Sequence, residues 1–293
     1  MLEQQLVNGL SLGCVYALFA LGFTLVFGVL GVVNLSHGAI FMVGAYAAER
    51  ATAGFGWGIA PALVFAFAVA GAVGLLVDVL VLRRLRARQA PHLIPMVATI
   101  GVAIVVNSAA QGLFGAQNRR YPEDVISHAA FTFGAVQVTV LELGIMLASA
   151  ALMAALFLAL RGTRIGRGLR AVAESPRAAY LVGINVEKMF FITSFIAAGL
   201  GGMAGVLIAL YSNAVFPLMG QPMLHKGIAV IILGGMGDIR GAMLGGLFLG
   251  FAEVLSVAYI GSSSRDAVAF GLLFLVLLVR PTGLFGRGFE RKV

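Results

Sequence analysis

Long, nearly uninterrupted runs of apolar residues constrain the fold of this chain more than any other feature. They lie near 6–30, 34–52, 57–82, 93–115, 137–160, 189–211, 219–235, 240–260 and 265–280. A bilayer core of roughly 30 Å needs about 20 apolar residues in one helix, so most of these runs are long enough to cross it. The alternating pattern of a membrane barrel does not occur in the sequence, and spanning backbone must satisfy its own hydrogen bonds. The runs are therefore expected to be helices.

The composition supports the same conclusion, with 60% hydrophobic residues, 11% charged residues and a mean hydropathy of +1.01. We predict an all-α fold: a polytopic transmembrane helical bundle of about eight or nine membrane segments, forming one domain over residues 1–293. Some of these segments are expected to be re-entrant or broken helices. The run at 6–30 has no basic leader before it, so we expect a retained span rather than a cleaved signal peptide.

Basic residues predict the topology. Fourteen of the twenty lysines and arginines fall in three regions, 83–88, 161–188 and 280–293. Loops rich in Lys and Arg stay in the cytoplasm, so these regions are expected on that side, with 116–136 as an outer loop. Four apolar runs then follow Lys188 where an odd number of crossings is required. The glycine-rich stretch at 233–246 is our preferred interruption, although another of these runs could be the one that does not cross.

The segment 161–188 concentrates charge in a distinctive order. Arg167, Arg170 and Glu174 are spaced to share one face of a short helix. Ser175 can cap a second helix whose first residue is Pro176, and Gly183 can end it. Charge alone would suffice to keep a loop in the cytoplasm, whereas an ordered pair of helices favours a docking surface.

Polar residues also interrupt the apolar runs. Asn34, Ser36 and His37 begin one run, and polar groups at membrane depth usually face the bundle interior or a transport pathway. The alternative is simple capping of the helix start, which is compatible with a pathway role. Glu253 lies well inside its run, where it could be a buried ion-pair partner or a proton site. A short echo between 34–49 and 238–253 is compatible with an internal duplication or with helix packing through small residues.

Several chemistries are excluded by the sequence. The lysines Lys188, Lys226 and Lys292 are not followed by Ser or Thr, so no phosphate-binding loop is present and the chain is not expected to hydrolyse ATP. The single cysteine, Cys14, cannot form an internal disulfide. No residue set has catalytic or metal-binding spacing, so we predict no catalytic residue, metal or cofactor. The net charge of +8 lies at the ends of apolar runs, which argues against nucleic-acid binding.

Several passages resemble one family, the LivH-type permease subunits of bacterial ABC importers for branched-chain amino acids. The resemblance covers nearly the whole chain and is carried by the passages at 8–48, 93–106, 166–186, 232–253 and 278–286, including NLSHG and GIN. It implies a multi-pass protein of the bacterial inner membrane, in contact with lipid. The implied partners are a second, LivM-like permease, two ATP-binding subunits and a periplasmic substrate-binding protein.

The resemblance also suggests roles for individual residues. Within the predicted cytoplasmic coupling loop, at about 161–188, the residues expected to contact an ATPase subunit are Gly166, Arg167, Arg170, Ala173, Glu174, Ser175 and Gly183. For the substrate pathway, polar and glycine-rich breaks point to Asn34, Ser36, His37, Gly234, Gly235, Gly237 and Asp238, because broken helices expose amides and carbonyls to a bound zwitterion. The alternatives are an ABC permease for a sugar, urea or amide, and a transporter driven by an ion gradient through Glu253. A membrane enzyme is the least favoured, since no paired reactive groups are present.

Overall fold

The computed structural model describes residues 2–91, 93–122, 129–133, 136–280 and 282–286, and this part of the chain is almost entirely helical. Its elements in chain order are α1 Leu2–Leu30, α2 His37–Phe55, α3 Ile59–Val77, a π-helical turn Asp78–Leu82, α4 Arg83–Ala87, α5 Leu93–Phe114, β1 Ala130–Phe133, β2 Val136–Thr139, α6 Val140–Gly162, α7 Arg164–Glu174, α8 Pro176–Leu181, α9 Val186–Ser212, α10 Gly220–Gly234, α11 Ile239–Tyr259, a 3₁₀ turn Ser262–Ser264 and α12 Arg265–Val279.

Six helices among the described residues are long and apolar enough to cross a membrane. They are α1, α5, α6, α9, α11 and the continuous helix formed by α3, the π turn and α4 over Ile59–Ala87. The helices α10 and α12 have 15 residues each. At about 1.5 Å per residue they rise about 22 Å, less than a bilayer core of roughly 30 Å. The chain is a multi-pass helical membrane protein, and the predicted total of eight or nine segments is not confirmed.

The basic regions meet at one end of the bundle. Arg83 and Arg86 of α4 pair with Glu187, at the start of α9, at 3.4 and 3.9 Å. After α12, the Leu284 amide donates a hydrogen bond of 2.8 Å to the Leu233 carbonyl at the end of α10. We call this the basic end, comprising 83–88, α7 and α8, 233–239, 280 and 282–286. The rest of the predicted basic tail, 287–293, lies outside the described residues.

The opposite end, which we call the hairpin end, carries the start of α1, the β1–β2 hairpin and the end of α9. β1 pairs antiparallel with β2, and the Gln4 side chain bonds to both backbone groups of Gln137 at 2.8 and 2.9 Å. The Tyr121 hydroxyl donates to the Ala45 carbonyl over 3.1 Å. Burial raises the pKa of Tyr121, so its phenol stays a neutral donor. The segment 116–136 was predicted as an outer loop, of which 123–128 and 134–135 lie outside the described residues. The strand β1 within this segment was not predicted.

Small residues bring the long helices together. α1 packs along α11, where Gly13 and Gly250 approach so closely that a Cβ on Gly250 would overlap the Gly13 backbone. α9 packs along α3 and α2, where Gly202 leaves no room for a Cβ against Ala70 and Gly44. Close helix contact through glycine and alanine is the usual way to gain packing energy in a membrane, where helices have no hydrophobic drive to associate.

Two parts of the chain repeat one arrangement in opposite directions. α1 is followed by the non-helical residues 31–36 and the shorter α2, and α9 is followed by 213–219 and the shorter α10. α1 starts at the hairpin end and α9 at the basic end. This is the pattern of an inverted-topology repeat. It matches α2 with α10, whereas the sequence echo would match α2 with α11, so the echo does not correspond to this arrangement.

Candidate functional site

A cavity of about 450 Å³ lies between α2, α5 and α10, and we call it the central cavity. On α5 and α10 its lining residues recur at spacings of three and four, so each helix presents one face to it. The lining residues are Leu35, Gly38, Ala39, Ile100, Ala103, Ile104, Asn107, Gly220, Gln221, Leu224, His225 and Ile228.

Among the described residues, the lining of the central cavity is apolar apart from three side chains, Asn107, Gln221 and His225, and includes no Asp, Glu, Lys or Arg. The Asn107 Oδ1 atom is buried and has no hydrogen-bond partner within the described part of the chain. A buried acceptor without a donor costs about 1–3 kcal/mol, so a bound molecule that donates to it would be stabilised. The cavity therefore suits a small solute with an apolar body and a few polar groups.

Two helix starts meet beside this cavity. α2 begins at His37 and α10 at Gly220, and the Gly38 and Gly220 backbones touch, so a Cβ on either residue would overlap the other. The first four amides of a helix have no partner within the helix, and the start of a helix carries a partial positive charge. The contact thus places two electropositive helix starts next to an uncharged cavity.

The predicted pathway residues Asn34, Ser36 and His37 lie at the break between α1 and α2, the non-helical segment 31–36 and the first residue of α2. The structure does not place them in the cavity lining. Asn34 Oδ1 accepts bonds from the Ser36 amide at 3.1 Å and the Ser36 hydroxyl at 2.6 Å. The Leu35 amide donates to Thr99 Oγ1 of α5 over 3.1 Å, which ties the break to the helix across the cavity. All three predicted side chains are buried. Asn34 therefore organises the turn before α2, but, contrary to the capping alternative, neither Asn34 nor Ser36 caps a helical amide of α2 through its side chain.

His37 lies in an aromatic pocket behind the cavity. Its ring centroid is 4.7 Å from that of Phe19 and 5.5 Å from that of Phe23, and the imidazole lies against Gly22 and Gly201. Its Nε2 atom is buried without a hydrogen-bond partner in the described structure. The ring therefore fills the junction of α1, α2 and α9, and a role in the pathway remains a prediction.

The other predicted pathway residues, Gly234, Gly235, Gly237 and Asp238, form the turn between α10 and α11 at the basic end. Gly235 and Gly237 have φ values of +103° and +88°, and Asp238 Oδ1 caps α11 by accepting from the Gly241 amide at 2.8 Å. Gly237 and Asp238 line a second cavity of about 420 Å³, shared with α1, α6 and α7. The two predicted sets therefore lie in different places, one at the start of α2 and the other at the turn between α10 and α11.

The predicted coupling loop is helical, and its local signals act as expected. Ser175 begins α8 by accepting from the Ala178 amide at 3.2 Å, Pro176 is the first helical residue, and Gly183 follows the helix with a φ of +83°. Two further caps were not predicted. Thr163 accepts from the Gly166 amide at 3.0 Å, and Asn185 accepts from the Lys188 amide at 3.0 Å. Every helix start from α7 to α9 is thus fixed by a side chain.

One face of α7 is buried and the other is exposed. Leu169 and Val172 are buried, and Gly166 packs against the last carbonyls of α6. Of the predicted contact residues, Arg167, Ala173, Glu174 and Gly183 are exposed and Ser175 is partly buried. Arg170 is exposed in part, but its guanidinium also donates to the Leu160 carbonyl and it lines the second cavity together with Ala173. Arg170 therefore ties α7 to α6.

Comparison with known proteins agrees with this architecture. The family model described as branched-chain amino acid transport system / permease component matches residues 5–278. The chain belongs to this permease family. It is 35% identical to the high-affinity branched-chain amino acid transport system permease protein LivH of Escherichia coli K12, over 99% of this chain and 97% of the relative. For BraD of Pseudomonas aeruginosa, a permease protein of the same description, the identity is 36% over the same shares.

More distant similarity extends to another solute. The ribose import permease protein RbsC of Escherichia coli K12 is 30% identical over 94% of this chain and 85% of its own length. No solved structure matches the chain significantly. Membership of the permease family confirms the predicted transport class, and it means that the chain is a transporter component rather than an ATPase or another enzyme.

Sequence reasoning missed the polar residues that line the permease's central cavity. Each of Asn107, Gln221 and His225 looks like a lone polar residue in an apolar run, and Asn107 lies more than a hundred positions from the other two. A usable signal was present in the helix lengths, since the run at 219–235 is too short to span and so indicated a broken helix near Gln221. No residue group in the described structure has the composition of a metal site.

Proposed function

We propose that this chain is the membrane-spanning permease subunit of an ABC importer that carries branched-chain or related hydrophobic amino acids across the bacterial inner membrane. The central cavity is the observation that carries the proposal. Its apolar walls suit a branched side chain, Asn107, Gln221 and His225 offer hydrogen bonds, and the two helix starts favour a carboxylate.

The proposed assembly contains a second, LivM-like permease, two ATP-binding subunits and a periplasmic protein that delivers the substrate. A permease component works as part of a larger transport system, and its family membership supports such partners. The basic end is proposed to face the cytoplasm because loops rich in Lys and Arg are retained there. The hairpin end, with the start of α1, then faces the periplasm.

The ATP-binding subunits are proposed to dock on the exposed face of α7 and α8. Arg167, Glu174 and Gly183 are exposed there, and Tyr180 and Leu181 of α8 are 73% and 79% exposed. An exposed apolar pair beside charged residues is typical of an interaction surface. Side-chain caps hold the starts of α7, α8 and α9 in place. A movement of the bound ATP-binding subunit is therefore proposed to displace α7 as a unit rather than to deform the loop locally.

The second cavity supports a route from the coupling surface to the substrate. Arg170 and Ala173 of α7 line it together with Gly237 and Asp238 of the α10–α11 turn. Because α10 runs from that turn to the central cavity, movement of α7 could shift the residues that contact substrate. We therefore propose that Gly234, Gly235, Gly237 and Asp238 belong to this relay, while Asn34, Ser36 and His37 position the start of α2.

The similarity to a ribose permease favours a sugar as the second candidate substrate. The cavity's amide and imidazole groups could bind hydroxyls, but much of its wall is Ile and Leu, which favours an aliphatic side chain. A proton-driven mechanism through Glu253 finds less support, because this carboxylate lies within 2.8 Å of both Lys226 and Arg265. The carboxylate is thus already engaged by two cations, as in a structural ion pair.

Uptake of radiolabelled L-leucine tests the function. A host strain without the gene should lose uptake, and the wild-type chain should restore it. Gln221→Ala and His225→Ala should raise the KM for L-leucine, whereas Gln111→Ala, on the exposed surface of α5 outside the cavity lining, should not. Excess isoleucine or valine should compete and excess ribose or urea should not. Competition by ribose alone, or uptake that persists without the ATP-binding subunits, would contradict the proposal.

A further inference from the structure

A cluster of buried ionisable groups lies behind the central cavity. Lys226 of α10 is 8% exposed and Glu253 of α11 is fully buried, and Lys226 Nζ lies 2.8 Å from Glu253 Oε1. The Tyr16 hydroxyl of α1 donates to Glu253 Oε2 over 2.8 Å and accepts from Lys226 Nζ at 3.0 Å. Arg265, at the start of α12, reaches Glu253 Oε1 at 2.7 Å. Four helices therefore meet at one carboxylate.

The charges of this cluster balance. Asp266 lies 4.0 Å from Lys226, so two cations face two carboxylates, with Tyr16 as a neutral partner. Arg265 and Asp266 have side chains that are 49% and 72% exposed, whereas Lys226 and Glu253 have little or no access to solvent. A lysine and a glutamate this deeply buried are uncommon unless paired, because burial without a partner is costly.

Lys226 directly follows the cavity residue His225 on α10. The cavity face of α10 carries Gln221, Leu224 and His225, while Lys226 reaches across to α1 and α11. Rotation of α10 about its axis would therefore change both the cavity lining and the bonds of Lys226. Apolar contacts alone would permit such rotation more readily, since they have no preferred direction.

We propose that Lys226 is a positioning residue, whose bonds to Glu253 and Tyr16 fix the rotation of α10 so that Gln221 and His225 face the substrate. Fixing the register of one helix against another is the best-attested use of buried polar groups. α10 needs such a device because it is short and its first turn touches α2 through glycine backbone at Gly38 and Gly220. This inference rests on the proposed function for its substrate, L-leucine, but not for its geometry.

Thiol labelling can measure the rotation directly, because Cys14 is the only cysteine in the chain. In a Cys14→Ala background, His225→Cys reports whether position 225 still faces the cavity. The full transport complex is labelled in membranes with a small thiol reagent, with and without Lys226→Met/Glu253→Met. Removing both charges avoids leaving one buried charge without its partner. Arg84→Met, which neutralises an exposed arginine of α4 at the basic end, is the matched control.

We expect the double variant to assemble in wild-type amounts. The labelling rate at position 225 should change roughly fivefold and, in chains that retain His225, the KM for L-leucine should rise roughly fivefold, the size of a coupling near 1 kcal/mol. Arg84→Met should change neither quantity. A double variant that assembles with the wild-type labelling rate and KM would overturn the proposal, because the cluster would then be merely structural.

Tyr16→Phe provides a second test if the double variant fails to assemble. It removes one hydroxyl that bonds to both Lys226 and Glu253 and changes the shape of the side chain little. A smaller shift in labelling and in KM, in the same direction, is expected, and unchanged values would refute the positioning role. If the wild-type complex does not carry L-leucine, the proposed substrate is wrong, but the labelling rate still decides the role of Lys226.

Discussion

Asp78 shows how single polar side chains are held inside this bundle. Its carboxylate is fully buried at the start of the π turn and accepts two bonds from Arg86, at 2.7 and 3.2 Å. The Arg86 guanidinium also lies over the Phe190 ring, 4.5 Å from its centroid. The pair thus fastens the end of the α3–α4 helix to the first turns of α9, directly after the coupling loop.

Arg86→Met should therefore destabilise the protein much more than Arg84→Met. The first change leaves the Asp78 carboxylate buried without its cation, at a cost of about 3–5 kcal/mol, whereas Arg84 is exposed on the same short helix. Thermal unfolding of the detergent-purified complex would measure the difference. Equal melting temperatures for the two variants would show that the Asp78 pair contributes little.

Glycines provide a second contrast at this scale. Gly202→Ala would force a methyl group into the contact with Ala70 and Gly44, and overpacking typically costs about 1–3 kcal/mol. Gly101 of α5 faces open space, so Gly101→Ala should be neutral or should stabilise the helix by up to about 1 kcal/mol. The same melting assay would test both, and a Gly202→Ala variant as stable as Gly101→Ala would contradict the close packing.

Local signals could be predicted at the residue scale, but pairings could not. Ser175, Pro176 and Gly183 act within a few positions of one another, so the sequence alone indicated their roles. Asp78 is paired with Arg86, which lies two turns further along the helix, and no local pattern indicated this pair. Glu253 was considered as a buried partner, yet Lys226 and Tyr16 are 27 and 237 positions away. Only the folded chain shows such distant pairs.

At the scale of elements, the helix pair α7–α8 is a small rigid body attached to longer helices. α7 packs on α6, α1 and α9, and its buried residues Leu169 and Val172 seal it against them. The sequence predicted one charged face on α7, because Arg167, Arg170 and Glu174 are three and four positions apart. The hydrogen bond from the Arg170 guanidinium to the Leu160 carbonyl could not be predicted, because it depends on where α6 ends relative to α7.

Reversing one charge on this pair should weaken docking of the ATP-binding subunits. Arg167→Glu alters the exposed face of α7, whereas Arg84→Glu makes the same change at an exposed position of α4 at the same end. Loss of an interfacial charge contact typically weakens binding by about 2 kcal/mol or more, so co-purification with the ATP-binding subunits should fall only for Arg167→Glu. Equal recovery from both variants would place the docking surface elsewhere.

The short helices explain why the site was harder to predict than the fold. Apolar length indicated where most of the helices lie, and the observed bounds differ from the predicted runs by a few residues. The central cavity instead depends on α2 and α10 starting inside the bundle, at a contact between residues 38 and 220. Hydropathy describes how long a helix is, but it does not state which helix starts will meet.

For the whole molecule, the two ends differ in charge and in structure. The basic end gathers 83–88, α7 and α8, while the hairpin end carries the β1–β2 strands and the start of α1. If Lys and Arg retain the basic end in the cytoplasm, the orientation of every helix follows. Charge patterning had already grouped the basic regions on one side, but the side of the N-terminus could not be predicted without the number of crossings.

Labelling from one side of the membrane would test this orientation. In a Cys14→Ala background, Thr132→Cys of β1 should react with an impermeant thiol reagent added to the periplasmic side. Arg177→Cys of α8 should react only after the membrane is permeabilised, since both positions are exposed but lie at opposite ends. The reverse pattern would show that the chain is inserted in the opposite orientation.

The backbone contact between Gly38 and Gly220 has a consequence for the history of the protein. Each of these glycines occupies space that a side chain on the other would need, so a lineage cannot easily accept a larger residue at either position. No substitution at one position can make room for a side chain at the other, because the clash is with backbone and glycine is already the smallest residue, so both positions should stay glycine. One contact therefore constrains both halves of the chain during evolution, although 182 positions separate the two glycines in sequence.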